Sequence, residues 1–164
     1  QLCELFLTSA ERNEDINIVI DAGGLYYMKE FGCPSNAIIT PHPGEAAMLL
    51  DCSVEELQKN RLEAAKELYK RYNCLIILKG YQTIVFDGEA YQCTDGGPAL
   101  STAGTGDVLA GLIGSFLAQG LSKIDAARFS VAIHGAAGDK FSKNKGVRGL
   151  TATKLIKIIN EEML

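Results

Sequence analysis

Three short apolar runs, each followed at once by a polar or glycine-containing motif, constrain the fold of this chain more than any other feature. The runs cover residues 16–20, 37–40 and 74–78, and isoleucine is their commonest residue. Runs of this length without polar alternation are typical of strands buried on both faces of a parallel sheet. Helical patterns occur after the second and third runs. This alternation predicts an α/β fold with a mostly parallel, doubly wound sheet flanked by helices.

The rest of the chain predicts one long helix in the first half, and a hairpin with three helices in the second. A capping-box sequence at residues 53–56 begins a helix that continues to Tyr72. Residues 83–86 and 89–93 are predicted strands, joined by an Asp-Gly turn that favours tight hairpins. The three later helical patterns end at Gln119, cover about residues 124–141, and cover about residues 152–163, with Thr151 as the cap of the last one.

A glycine-rich turn, Gly104-Thr105-Gly106-Asp107, leads directly into the first of these three helical patterns. Its glycines let the backbone approach a ligand closely. The first turn of the following helix leaves amide hydrogens unpaired, which suits a phosphate group. Asp107 stands at the mouth of this site. From the residues alone, its carboxylate is either a helix cap or a base that takes a proton from the group being phosphorylated.

Together with three further stretches, this turn resembles a known family. Residues 40–45 (Thr-Pro-His-Pro-Gly-Glu), 78–83 (Leu-Lys-Gly-Tyr-Gln-Thr) and 108–120 occur in the order seen in the NAD(P)H-hydrate dehydratases of the ribokinase-like superfamily. The resemblance implies a ribokinase-like fold. It also implies ADP- or ATP-dependent dehydration of the S-form of NAD(P)H-hydrate, a metabolite repair reaction in which a hydroxyl is phosphorylated and phosphate is then eliminated.

The same resemblance implies roles for individual residues. Asp107 is the expected catalytic base and, with His42, contacts the substrate. Glu45 is expected to act on Mg²⁺ through a water molecule. The expected nucleotide-binding residues lie in two segments: Lys79, Gly80, Tyr81, Gln82 and Thr83 in the first, and Gly104, Thr105 and Gly106 in the second.

Several of these side chains also have a purely structural explanation. His42 lies between two prolines, in a turn that is rigid whether or not it binds a ligand. Glu45 can favour the start of a helix through its charge, and Lys79 suits a surface position just beyond a strand. His134, on a helix face of small residues, is interpreted as a core histidine, with Asp139 either its partner or a solvated carboxylate.

Two features depart from the family pattern. Residues 21–25 read Asp-Ala-Gly-Gly-Leu where the family usually has Asp-Ala-Asp-Ala-Leu, so Gly23 replaces a second acid. No Gly-Pro-Gly-Leu-Gly-like turn, which family members carry in the front part of the domain, occurs in the chain. We therefore expect residues 1–164 to be the C-terminal portion of a single ribokinase-like domain. We expect it to begin with the end of a helix over residues 2–7 and to be inactive alone.

Composition argues against several other classes of protein. The 164 residues carry a formal net charge of −4, which disfavours a nucleic-acid partner. No apolar run reaches the length that crosses a bilayer. Five widely spaced cysteines without a C-x-x-C pair, together with only two histidines, predict free thiols in a reducing cytoplasm rather than disulfides or a zinc site.

The implied partners are NAD(P)H-hydrate, an adenine nucleotide, further copies of the chain in a homo-oligomer, and a fused or separate NAD(P)H-hydrate epimerase. ADP is the favoured nucleotide, because the His-Pro-Gly-Glu stretch resembles the bacterial branch of the family. Two other functions stay open at this point. One is a ribokinase-like kinase for a small molecule such as a thiamine precursor, and the other is a nucleotide-binding sensor without catalysis.

Overall fold

The computed structural model describes Leu7, Ser9 and residues 16–162. The helix end predicted over residues 2–7 lies, apart from Leu7, outside the described residues. The chain divides into two compact units. The first comprises Gln1–Gly80 and Ile84–Tyr91, and the second comprises Tyr81–Thr83 and Gln92–Leu164.

The first unit carries almost all of the sheet and the helices between its parallel strands. Its elements in chain order are β1 (Ile18–Ile20), α1 (Gly23–Phe31), β2 (Ala37–Ile39), α2 (Pro43–Leu50), α3 (Val54–Lys59), α4 (Arg61–Tyr72), β3 (Leu75–Leu78) and β4 (Ile84–Phe86), with β5 (Ala90–Gln92) at its boundary. Among the described residues, the five strands lie in the order β1-β2-β3-β4-β5. Strands β1, β2 and β3 are parallel, and β4 is antiparallel to β3.

The predicted α/β class is confirmed, and the sheet is mixed. Only residues 79–83 connect β3 to β4, which is too short for the crossover that a parallel pair requires, so the chain turns back on itself. The strand order follows the sequence throughout the described residues. A doubly wound sheet needs a reversal of strand order, and that feature stays a prediction.

Burial explains why the apolar runs form strands. Every residue of β2, β3 and β4 is buried, and the register pairs Ile38 with Leu75 and Ile39 with Ile76. Helices on the sheet add further apolar side chains to the same core, including Leu25, Met28, Leu49 and Leu68. The parallel register brings the carboxyl ends of β1, β2 and β3 to one edge of the sheet, where ligands bind in open α/β sheets.

Two helices differ from the sequence-based expectation. The helix predicted as continuous from residue 53 to Tyr72 is divided at Asn60, whose side chain caps α4 by accepting a hydrogen bond from a first-turn amide. Helix α1 begins at Gly23, in the glycine-containing motif after the first apolar run, where the sequence showed no helical pattern. Glycine is a poor helix former, but the complete burial of Leu25 and Met28 outweighs that preference.

The second unit is built from helices. It contains a 3-10 turn (Pro98–Leu100), α5 (Thr105–Ala118), α6 (Lys123–Lys145) and α7 (Ala152–Glu162), which confirms the three predicted helices. Helix α6 extends four residues beyond the predicted end at residue 141. The Thr151 hydroxyl accepts a hydrogen bond from the Lys154 amide at 3.3 Å and so caps α7, as predicted. The core of this unit is Ala99, Val108, Ala137, Phe141, Leu150, Leu155 and Ile159.

The described residues also bear on the expectations about cysteines, membranes and metals. Cys33, Cys52 and Cys93 are free thiols, and burial raises the pKa of the Cys93 thiol. None of the helices in the described ranges is long and apolar enough to cross a membrane. Within those same ranges, no three His, Cys, Asp or Glu side chains are grouped as a metal site.

Candidate active site

Three strand ends of the first unit bring charged side chains together. Asp21 follows β1, Glu45 lies in the first turn of the helix after β2, and Lys79 follows β3. The Lys79 Nζ lies 2.7 Å from Asp21 Oδ1 and 3.9 Å from Glu45 Oε2. These three residues, which we call the edge cluster, meet because the carboxyl ends of parallel strands share one edge of the sheet.

The edge cluster is largely shielded from water. The exposed fractions of the Asp21, Lys79 and Glu45 side chains are 14%, 17% and 9%. Charges removed from water to this extent need oppositely charged partners, and two carboxylates around one ammonium leave an excess of negative charge. Lys79 is therefore an ion-paired residue and not a surface lysine. Its contact with a nucleotide phosphate stays a prediction.

His42 is the N-cap of α2. Its Nδ1 accepts hydrogen bonds from the backbone amides of Gly44 at 3.0 Å and Glu45 at 3.2 Å, while Glu45 Oε2 accepts one from the His42 amide at 2.8 Å. A neutral imidazole with Nδ1 as acceptor carries its proton on Nε2, which lies 3.5 Å from Glu45 Oε1. The imidazole also packs closely against Gly44, since a Cβ added at Gly44 would lie only 2.9 Å from His42 Cε1. The His42 side chain is still 56% exposed, so much of the ring is open to a ligand.

Arg61, which the sequence did not single out, supports the segment that follows β3. Its Nη2 donates to the carbonyls of Leu78 and Lys79 at 3.1 and 3.3 Å, and burial lowers the pKa of the guanidinium from its ordinary value. Gly80 has a φ of +135°, and a Cβ there would collide with this guanidinium. The backbone after Lys79 is therefore held in a conformation that requires glycine.

Tyr81, Gln82 and Thr83, the remaining residues of the first predicted nucleotide-binding segment, belong to the second unit. Gln82 has a φ of +55°, and its Oε1 accepts a hydrogen bond from Gln92 Nε2 at 2.8 Å. The Thr83 carbonyl accepts one from the Cys93 amide at 2.9 Å. The Tyr81 side chain is among the most exposed large apolar groups, at 76%, and an exposed aromatic ring is suited to stacking on a base.

The start of α5, in the second unit, has the features of an anion-binding site. Gly104 is the N-cap, with a φ of +86° that glycine adopts without strain. The backbone N–H groups of Gly106 and Asp107 have no acceptor within the described residues. These unpaired amides and the positive end of the helix dipole together favour a phosphate oxygen at this position.

Asp107 lies beside these amides as the third residue of α5. Its side chain is exposed, and it makes no capping hydrogen bond, which removes the N-cap explanation that the sequence left open. Asp107 and Gly104 line one end of a cavity of about 370 Å³ between α5 and α7, whose walls are mainly apolar. A carboxylate at the rim of such a cavity is placed to accept a proton from a bound hydroxyl.

Buried contacts hold the glycine-rich turn at the start of α5 in place. Thr105 is 5% exposed, and its hydroxyl donates to the carbonyl of Leu100, at the end of the 3-10 turn, at 2.6 Å. The His134 Nε2 lies 2.8 Å from the Thr105 carbonyl, which agrees with the interpretation of His134 as a histidine that supports the core. The Asp139 carboxylate accepts a hydrogen bond from the Gly96 amide at 2.9 Å, so it fixes a loop and is not merely solvated.

Replacing His42 separates its capping role from a role in binding. We expect His42→Ala to lower the free energy of unfolding by about 1 kcal/mol, because the cap is lost. His42→Asn keeps a capping acceptor and should retain most of that stability while removing the imidazole. Denaturant unfolding compares the two variants. Equal destabilisation by both would contradict the capping role, and a raised KM in both would support substrate contact.

The chain matches a family model described as NAD(P)H-hydrate dehydratase over residues 3–161. It belongs to this family. The bifunctional NAD(P)H-hydrate repair enzyme Nnr of Vibrio cholerae is 42% identical over 145 residues, which cover 87% of the chain and 29% of that protein. The chain therefore spans less than a third of the length of this relative.

Two solved structures show the same fold. The ADP/ATP-dependent NAD(P)H-hydrate dehydratase of Bacillus subtilis, co-crystallised with ATP and Mg²⁺, is 34% identical with a TM-score of 0.82, covering 89% of this chain and 53% of that one. A ribokinase-like superfamily protein from Enterococcus faecalis is 26% identical with a TM-score of 0.82, covering 95% and 56%. The ribokinase-like fold is confirmed over the part of these proteins that the chain spans.

Proposed function

We propose that this protein catalyses the ADP- or ATP-dependent dehydration of the S-form of NAD(P)H-hydrate to NAD(P)H. The observation that carries the proposal is the start of α5, where unpaired amides adjoin the exposed carboxylate of Asp107. Such an arrangement suits the transfer of a phosphoryl group to a hydroxyl. Membership of the NAD(P)H-hydrate dehydratase family supports the choice of substrate.

The first proposed step is phosphoryl transfer. The hydroxyl on the hydrated nicotinamide ring attacks the terminal phosphorus of the nucleotide while Asp107 takes the hydroxyl proton. The bond from that phosphorus to the bridging oxygen breaks. The leaving nucleotide is therefore AMP when ADP is the phosphoryl donor, and ADP when ATP is the donor. The turn formed by Gly104, Thr105 and Gly106 lines the phosphates, and its unpaired amide stabilises charge on the phosphoryl oxygens.

The second proposed step is elimination. The bond between the ring carbon and the phosphorylated oxygen breaks, and inorganic phosphate leaves with that electron pair. The adjacent ring carbon loses a proton, and the electrons of its C–H bond form the carbon–carbon double bond of the reduced nicotinamide. Phosphate is a much better leaving group than hydroxide, which gives the nucleotide its role in the reaction.

We assign the strand edge of the first unit to substrate binding and to Mg²⁺. His42 presents an exposed imidazole for the substrate. Glu45 offers carboxylate oxygens, which Mg²⁺ favours, but Lys79 already lies against both carboxylates of the edge cluster. The donor set therefore fits an ion held through a water molecule on Glu45, since Mg²⁺ usually keeps several waters. When bound, the ion neutralises phosphate charge.

The segment Lys79, Gly80, Tyr81, Gln82 and Thr83 is assigned to the nucleotide. Two observations support this assignment: Arg61 holds Gly80 in a conformation that requires glycine, and the Tyr81 ring is exposed.

We also propose that the sheet is doubly wound and that the protein forms a homo-oligomer. A fused or separate NAD(P)H-hydrate epimerase as partner is supported by the bifunctional character of the Vibrio cholerae relative.

The test is an assay of the full-length protein on hydrated NADH with Mg²⁺ and either ADP or ATP. We expect the absorbance of NADH to return together with released phosphate, and only when a nucleotide is present. A stable phosphorylated product made from a simple alcohol, with no recovery of NADH, would instead identify a small-molecule kinase. Nucleotide binding without turnover would identify a sensor, and either result would overturn the proposal.

A further inference from the structure

A second cavity of the helical unit differs in chemistry from the cavity at Asp107. It has a volume of about 410 Å³ and is formed by the end of α6, the loop over residues 146–151, and α7. Among the described residues that line it, the cationic ones are Lys140, Lys145, Arg148, Lys154 and Lys157, and the acidic one is Glu161. We call this feature the basic cavity.

The positive charge of the basic cavity does not follow from the composition of the chain. The formal net charge of the protein is −4, so the cations are concentrated locally. Lysines at the end of α6 have a structural explanation, because cations stabilise the negative end of a helix dipole. That explanation does not apply to Lys154, which lies in the first turn of α7, where the dipole disfavours a positive charge.

The cations of the basic cavity are mostly available to a ligand. The Lys154 Nζ donates to the Gly149 carbonyl at 2.7 Å, which leaves two of its three donors for another group. Lys157 lies 3.8 Å from Glu161, and because the two side chains are 72% and 60% exposed, water screens this pair. Lys145 and Arg148 form no ion pair within the described residues.

The basic cavity is separate from the cavity at Asp107. The two share no lining residue. On α7, the cavity at Asp107 uses Ala152, Ile156, Ile159 and Asn160, and the basic cavity uses Lys154, Lys157, Ile158 and Glu161. With 3.6 residues per helical turn, these two sets lie on opposite faces of α7. A ligand in the basic cavity therefore does not occupy the anion site at the start of α5.

We propose that the basic cavity is a second anion site, which binds a small molecule carrying a di- or triphosphate group. Its volume falls in the range of small-ligand pockets, roughly 300–1,000 Å³. The Arg148 guanidinium can bind phosphate oxygens in a bidentate manner, and Ile158 adds apolar surface for the organic part. The net negative charge of the chain disfavours a nucleic acid at this position. This proposal does not depend on the proposed dehydratase activity.

The test is isothermal titration calorimetry of the full-length protein with inorganic tripolyphosphate, and in a second arm with ADP. The test variant is Lys145→Ala/Arg148→Ala/Lys157→Ala, and a single Arg148→Ala replacement accompanies it. The matched control, Lys59→Ala/Lys66→Ala/Lys70→Ala, removes three exposed cations from α3 and α4. It loses the same positive charge and leaves the basic cavity intact. Thermal unfolding verifies that each variant folds.

We expect wild type and control to show a binding component that the triple variant of the basic cavity weakens by about a hundredfold and Arg148→Ala weakens by about tenfold. This component should weaken further as salt rises. If this component appears with both tripolyphosphate and ADP, the site recognises the phosphate chain. If it appears with ADP and not with tripolyphosphate, the nucleoside also contributes to binding. Identical isotherms in wild type and triple variant, or equal losses in triple variant and control, would overturn the proposal.

Discussion

Replacing Asp107 by asparagine in the full-length protein is expected to lower turnover by roughly a hundred- to ten-thousand-fold. General-base catalysis typically contributes a factor of this size, and the amide cannot take the hydroxyl proton. Nucleotide affinity should hardly fall, because the replacement removes a negative charge next to the phosphate site at the start of α5. Steady-state kinetics measures the first effect, and calorimetry with the nucleotide measures the second.

Asp125 provides a matched control for this experiment. It is the third residue of α6, as Asp107 is of α5, and its amide is capped by Ser122. Asp125→Asn therefore removes a first-turn carboxylate from an equivalent helix position, with a similar small loss of dipole stabilisation. We expect its turnover to stay close to wild type. An active Asp107→Asn variant would show that the Asp107 carboxylate serves only the helix.

Replacing Lys79 by alanine is expected to lower the free energy of unfolding by about 3 kcal/mol. The change leaves the largely buried carboxylates of Asp21 and Glu45 without their ammonium partner, and uncompensated buried charge is costly. We also expect nucleotide binding to weaken more than substrate binding, because the proposed partner of Lys79 is a phosphate group. Denaturant unfolding and calorimetry report these two effects separately.

Lys66 supplies the control for the ion-pair effect. It lies 2.6 Å from Glu63, but the two side chains are 46% and 59% exposed, so Lys66→Ala should cost less than about 1 kcal/mol. The double variant Asp21→Ala/Lys79→Ala should lose less stability than the sum of the single losses, because it removes both partners. Additive losses would argue against the edge cluster. Unchanged nucleotide affinity in Lys79→Ala would argue only against its contact with phosphate.

The sequence was most informative where local chemistry is decisive. The buried strands followed from short runs of apolar, mainly β-branched residues, and the hairpin from an Asp-Gly pair whose glycine has a φ of +86°. The start of α5 at a glycine N-cap likewise follows from residues that adjoin in the chain. Local signals were less reliable for helix boundaries. The break at Asn60 and the helix beginning at Gly23 depend on a cap and on buried side chains that a regular pattern does not show.

For the candidate site, the sequence by itself determined which chemical groups follow each strand, including Asp21 after β1, His42 after β2 and Lys79 after β3. Only the tertiary structure decided what those groups do to one another. Lys79 and Asp21 are 58 residues apart in the chain, and their pairing requires the parallel register of β1, β2 and β3. The exposure of the Asp107 carboxylate and the concentration of cations in the basic cavity depend likewise on the tertiary structure, because the packing of α5, α6 and α7 decides which side chains face each cavity.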